Sequence, residues 1–283
     1  MYLNAQDVCR GFSKHEFSAV FQPLVEIKTG QLVGLEALAR WNHREMGTVL
    51  PGTFIPLIQS SGLTSLFTKT QLQVTFAAAS LLPGALRLSM NLSPQQLLDG
   101  TLPEQLAAAA AAAGLSLDRL TIEITERALE EDLDRVQAAC RNFKQMGCRL
   151  SLDDFGTGHS SLFHLQAAPF DELKVDRSFI LRMGQDSASR KIVAAVVGLG
   201  KSFALDTVAE GVETAEQAAV LCEVGCVYAQ GWLYGEPAPA ETIPEMAAAP
   251  ARFHPGLPVF HPFCHSERSE AERAACESVA LVP

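Results

Sequence analysis

A chain of 283 residues with 48% hydrophobic and 19% charged side chains has a globular composition and enough length for one large barrel or two small domains. Its net charge of −10 argues against binding DNA or RNA duplexes, which draws on basic surface, but leaves room for a small phosphorylated ligand held beside divalent cations. No apolar run approaches the roughly 20 residues that span a bilayer, and the first twenty residues lack a signal-peptide core. A cytoplasmic protein without a membrane segment is expected, its seven cysteines reduced and idle, because their number is odd and no C-x-x-C pair occurs.

In chain order, residues 19–25 and 32–41 read as strands separated only by Lys28-Thr29-Gly30. That is hairpin length, too short for a parallel crossover, so the first strand is expected to run antiparallel to the second. Helical patterns follow at 54–59 and 63–82, then a strand at 86–92 and a helix at 103–113 that ends in seven alanines, which are strong helix formers. Strands at 120–124, 148–153, 172–175, 205–209 and 227–230 alternate with helices at 133–146, 160–166, 187–203 and 215–224. Gly62, Gly114, Gly147 and Gly225 each follow a helical pattern, as left-handed C-terminal caps do. Eight strands with intervening helices predict a modified (β/α)8 TIM-type barrel over residues 1–248. Residues 249–283, rich in proline and then in charge, read as a disordered or loosely packed tail. No internal repeat or second domain is recognised.

Side chains alternate faces along a strand, which makes the polar strand residues informative. Glu36 and Arg40 share one face while Leu35, Ala37 and Ala39 share the other. Asn91, Glu123 and Lys174 likewise lie opposite apolar neighbours. In a barrel these polar residues converge on the interior near the strand C-termini, where such barrels carry their sites. Asp153, Asp154, Glu210 and Gln230 sit at later strand ends. So many buried carboxyls require raised pKa values or bound cations, and a set of oxygen donors suits Mg²⁺ or Mn²⁺ rather than zinc. Two such ions about 3.5–4 Å apart would activate water for an in-line displacement. Singly, each residue has a plainer reading. Glu36 could face solvent on an edge strand; Asn91, near Ser93 and Pro94, could cap the next helix; Asp153 to Gly158 could be an ordinary turn; Glu126 and Glu213 could be helix-end charges. Their joint placement at strand ends favours a site.

The motifs resemble those of the EAL domain, a bacterial family of cyclic di-GMP phosphodiesterases. Glu36-Ala37-Leu38 stands within GLEALARW, and FQP (21–23), MNLSP (90–94), IEITE (122–126), DDFGTGHSSL (153–162), LKVDRSFI (173–180), AEGVET (209–214) and QGWLYGEP (230–237) follow in family order. The resemblance covers roughly residues 12–245. It implies hydrolysis of cyclic di-GMP to the linear dinucleotide pGpG by water activated at a centre of Mg²⁺ or Mn²⁺, two ions being expected, and a homodimer. By resemblance Glu36, Asn91, Glu123, Asp153, Asp154 and Glu210 are metal ligands, and Lys174 and Gln230 lie near the catalytic water. Gln22, Leu38, Arg40 and Asp176 are on the substrate side, and Glu126 steadies the loop after Asp154. His159, Trp232 and Gln59 depart from the usual family residues without removing a matched ligand. The competing expectations are a non-catalytic cyclic di-GMP receptor, which usually lacks some ligands, and an interaction module with an idle site.

Overall fold

The computed structural model describes residues 3–156, 161–184 and 186–249. The proposed tail therefore lies outside the described residues apart from Ala249, and so does His159. Among the described residues the strands are β1 (Phe17–Glu26), β2 (Leu32–His43), β3 (Gly47–Val49), β4 (Arg87–Asn91), β5 (Leu120–Thr125), β6 (Arg149–Phe155), β7 (Glu172–Val175), β8 (Asp206–Ala209) and β9 (Tyr228–Gln230). The α-helices are α1 (Ala5–Ser13), α2 (Pro51–Ser60), α3 (Thr64–Ala79), α4 (Pro94–Leu97), α5 (Leu102–Ala112), α6 (Glu126–Glu131), α7 (Leu133–Gln145), α8 (Ser161–Ala167), α9 (Arg177–Arg182), α10 (Ser187–Ser202), α11 (Ala215–Val224) and α12 (Ile243–Ala248).

The sheet closes on itself. β2 and β4 to β9 are parallel neighbours in order, and β1 completes the ring by pairing antiparallel with both β2 and β9. This is the eight-stranded barrel with a reversed first strand that the short β1–β2 turn predicts. β3 is an addition to the sheet, a short hairpin partner for the far end of β2. The four expected cap glycines have positive φ, from 67° at Gly114 to 97° at Gly147, which glycine adopts without a Cβ penalty.

Strand alternation sorts the barrel into two environments. Leu35, Leu88, Met90, Ile122, Ile124, Leu150, Leu152, Leu173 and Val175 are buried in the main core, which the helices cover. Each such side chain contributes roughly 1.5–3 kcal/mol of transfer free energy. The opposite faces carry Glu36, Ser89, Glu123, Ser151 and Lys174, also buried, and these fill the barrel interior. A second apolar cluster lies where β1 and β2 extend past the ring: Phe17, Trp41, Phe54 and Phe67 pack with Val8 of α1.

Two helix starts bear on the mouth. Ser93 caps α4 through a capping box with Gln96, and Asp176 caps α9 by accepting from the Ser178 amide. The cap before α4 is thus Ser93, and Asn91 is left for the barrel interior. Between β6 and β7 the register slips: Leu152 pairs with Leu173, yet Phe155 pairs with Val175. One extra residue is therefore accommodated at Asp153-Asp154, a β-bulge at the strand end.

Candidate active site at the barrel mouth

Lys174, rising from β7, is the centre of the arrangement and is 1% exposed. Its Nζ lies 2.9 Å from Glu123 Oε2, 3.4 Å from Glu36 Oε2, 3.8 Å from Asp153 Oδ1 and 2.5 Å from Glu210 Oε1. Five strands supply these groups: β2 gives Glu36, β5 Glu123, β6 Asp153, β7 the lysine, and the end of β8 Glu210. The strands are staggered, Glu36 pairing with Ser89 and Glu123 with Ser151, and the stagger of a closed barrel brings the inward residues to the mouth together.

Amides knit the carboxylates together. Asn91 Nδ2 donates to Glu36 Oε1 at 2.7 Å and to Glu123 Oε2 at 3.1 Å. Gln230 Nε2 donates to Glu36 Oε2 at 2.7 Å and to Gln22 Oε1 at 2.9 Å. Gln22 faces Glu36 directly across the antiparallel β1–β2 pair, so reversal of the first strand brings Gln22 to the mouth. Gly231, after Gln230, has φ 153°, and a Cβ there would lie 2.2 Å from the Val212 backbone. Only glycine allows the chain to turn this closely past Val212.

The bulge in β6 solves a geometric problem. Consecutive residues of a regular strand point to opposite faces, yet one carboxylate oxygen each from Asp153, Asp154 and Glu210 falls within a group 4.8 Å across. Asp154 adopts φ 58°, a left-handed conformation that Asp tolerates better than most residues. The extra residue and this conformation turn both aspartates toward one side. The run Asp153 to Gly156 is thus a bulge with a chemical consequence.

The electrostatics follow from burial. It pushes Glu210 up to about 8, with Asp153 adding to the push. Burial also raises Asp154 to about 7, reinforced by Asp153 and Asp176. Burial and the charge of Glu36 hold Glu123 well above the usual carboxylate range. For Glu36 burial acts in the same direction but is outweighed by Lys174 and by hydrogen bonds from its neighbours, so it lies below its ordinary value. Burial disfavours the Lys174 ammonium, but Asp153, Glu123, Glu210 and Glu36 together keep its pKa well above that of a free lysine. Protons are thus retained where cations would otherwise be needed.

Beside this cluster opens a cleft of about 760 Å³ whose walls include Gln22, Leu38, Asn91, Asp153, Glu210 and Gln230, within the range of small-molecule sites. Gln59 and Trp232, two of the departures from the family pattern, also line it. Arg40 is half-buried with Nη1 on the Ala39 carbonyl. Asp176 lies at the α9 cap, close enough to raise Asp153 and Asp154. Glu126 is apart from the carboxylate ring, its Oε1 3.4 Å from His164 Nδ1.

Sequence reading missed the supports of Asn91. Gln71 of α3 donates to the Asn91 carbonyl at 3.0 Å, and Gln96 donates to Gln71 Oε1 at 2.9 Å and to Thr68 Oγ1 at 3.0 Å. Arg127 and Arg177, also unsuspected, line the cleft. The S-x-x-Q spacing of Ser93 and Gln96 was the available signal for this network.

An EAL domain model matches residues 5–237. An uncharacterized signaling protein of Caulobacter vibrioides is 40% identical over 239 residues, covering 84% of this chain and 30% of that protein. The cyclic di-GMP phosphodiesterase RocR of Pseudomonas aeruginosa is 35% identical over 238 residues, covering 83% of this chain and 61% of RocR. A solved structure described as PaMucR phosphodiesterase in a c-di-GMP complex superposes with a TM-score of 0.80 at 35% identity, covering 84% of this chain and 98% of that one. The chain spans only 30% and 39% of the length of the first curated relatives it matches.

Proposed function

The chain belongs to the EAL domain family, and from that premise we propose that it is a metal-dependent phosphodiesterase that hydrolyses cyclic di-GMP to linear pGpG. The observation that carries this reading is the complete ring of Glu36, Asn91, Glu123, Asp153 and Glu210 around Lys174.

The donor set fits divalent ions. Glu36, Glu123, Asp153, Asp154 and Glu210 present five carboxyls to the one ammonium of Lys174. Fully ionised, that cluster carries a charge of −4, which two divalent ions would cancel. All donors are oxygens, which favours Mg²⁺ or Mn²⁺. Glu36, Asn91, Glu123 and Asp153 would hold one ion, and Asp154 with Glu210 would complete the second site beside Asp153. Bound there, the ions supply Lewis acidity toward a phosphoryl oxygen and make water acidic enough to attack at neutral pH.

The protein's own groups do the rest. In the reaction the water oxygen joins phosphorus, the bond from phosphorus to the ribose 3′ oxygen breaks, and that oxygen leaves with a proton. Lys174, whose ammonium the surrounding carboxylates favour, is assigned the role of a cation and hydrogen-bond donor to the attacking water. Gln230, tied to both Gln22 and Glu36, orients the same region. Arg40 is assigned to substrate phosphate, Leu38 and Gln22 to the substrate-side wall, and Asp176 to the substrate through its place at the α9 cap. Glu126 is assigned to steadying the segment after Asp154. A homodimer and a dispensable tail beyond Ala248 complete the proposal; light scattering and truncation after Ala248 test them.

The decisive experiment incubates the purified chain with cyclic di-GMP and Mg²⁺ or Mn²⁺ and separates the nucleotides. Linear pGpG is expected, and Glu36→Ala is expected to abolish it. Tight binding without turnover under either metal would overturn the enzyme reading in favour of a cyclic di-GMP receptor.

A further inference from the structure

Outside the carboxylate ring, Glu126 and Glu130 on α6 and His164 on α8 gather one ligand atom each within 4.8 Å of one another. Glu126 and Glu130 are four apart and so share a helix face. His164 and Glu126 are 5% and 2% exposed, whereas Glu130 faces solvent. The polar groups are poorly satisfied as they stand. His164 Nδ1 is 3.4 Å from Glu126 Oε1, long beside the 2.7–2.9 Å or so of a charge-assisted hydrogen bond. Glu126 Oε2 is buried and has no hydrogen-bond partner. A buried carboxylate oxygen with nothing to accept is costly.

An ion between the two side chains resolves the first anomaly, and resolves the second where the Glu126 carboxylate reaches it through both oxygens. Two ligands of a tetrahedral ion with bonds near 2.1 Å stand about 3.4 Å apart, which is the His164 to Glu126 separation. We propose that Glu126, Glu130 and His164 form a second divalent-metal site, separate from the barrel mouth, that takes a borderline transition ion such as Zn²⁺. An imidazole nitrogen with two carboxylates suits zinc, in contrast to the all-oxygen ring. The buried pair fixes two positions, exposed Glu130 swings in as the third, and water fills the fourth from the open side. The ion would join α6 to α8, the helices that follow the strands bearing Glu123 and Asp153. This site does not depend on the phosphodiesterase reading.

The test is the Zn²⁺ stoichiometry of the full chain after chelator treatment, read by competition with a chromophoric chelator. Wild type is expected to bind one ion more than either Glu130→Gln or His164→Gln. Glu36→Ala, in contrast, should keep the ion that depends on His164. Zinc should also raise the Tm of wild type more than that of Glu130→Gln, because an ion that binds only the native state stabilises it. Glu130 is on the surface, so its variant folds even if His164→Gln does not. Equal zinc stoichiometry in wild type and Glu130→Gln would overturn the proposal.

Discussion

Asn91 is the neutral member of an otherwise charged ring, and its amide separates two carboxylates that would repel. Its carbonyl is in turn held by Gln71. Gln71→Leu removes that hold without touching the ring. The expected result is a 10–100-fold loss of Mg²⁺ affinity, the range seen when a partner of a metal ligand is lost, measured by metal-dependent turnover. Lys174 is a sharper case, since removing one member of a buried charge cluster strands the others. Lys174→Met is expected to destabilise the metal-free protein by about 3–5 kcal/mol, measured by urea unfolding with EDTA present. Both residues are buried polar groups, but only Lys174 was legible in the sequence. A lysine between Leu173 and Val175 breaks a strand's apolar run, whereas Gln71 lies on a helix, where a polar residue draws no notice.

The element that does most for the site is β6. Its alternation was readable up to Asp153, but the bulge was not, because the DDFG run is equally good turn chemistry. What decides between turn and bulge is the pairing with β7, a long-range fact. The left-handed Asp154 then gives a clean prediction. Asp154→Asn, which also tolerates positive φ, is expected to fold with unchanged or higher stability while losing turnover. Asp154→Val is expected to lose about 1–3 kcal/mol more, because a β-branched residue is strained there. Comparing the denaturation midpoints of the two variants separates the carboxylate from the backbone. The helices α1, α6, α9 and α12 were missed for a related reason. The last three have six residues each, too few to display a helical period.

At the scale of the molecule the barrel is a device for concentrating negative charge, and that makes stability depend on pH. Glu210 and Asp154 titrate near 8 and 7 in the folded chain, against ordinary values of about 4 in the unfolded one. Below about pH 4 both states are protonated and the contribution is complete. As pH rises, the unfolded chain gives up its protons first, so the metal-free fold loses stability until these two groups ionise. The slope approaches roughly 1.4 kcal/mol per pH unit for each retained proton. Glu36, lowered, acts only below this window, and Lys174, raised, only above it. Unfolding midpoints between pH 5 and 8 are therefore expected to fall in EDTA and to fall less in Mg²⁺, where ions stand in for protons; a flat EDTA profile would contradict this. The barrel itself was legible because eight apolar runs alternate with helices, and the reversed first strand because a three-residue turn permits nothing else. The substrate enters only through the family.

That reversed strand also sets an order of assembly. Gln22 meets Glu36 across a local hairpin, but it meets Gln230 only across 208 positions of chain. Hairpins form in microseconds, while contacts distant in sequence wait on loop closure. The β1–β2 ribbon is then an early nucleus, and the β1–β9 seam is the last to seal. Leu35→Ala, buried in the ribbon, should slow refolding, whereas Ala229→Gly at the seam should mainly hasten unfolding. The same seam carries the Gln22 to Gln230 contact, so a chain that has folded everything but its last joint has the ring of acids without its closing amide.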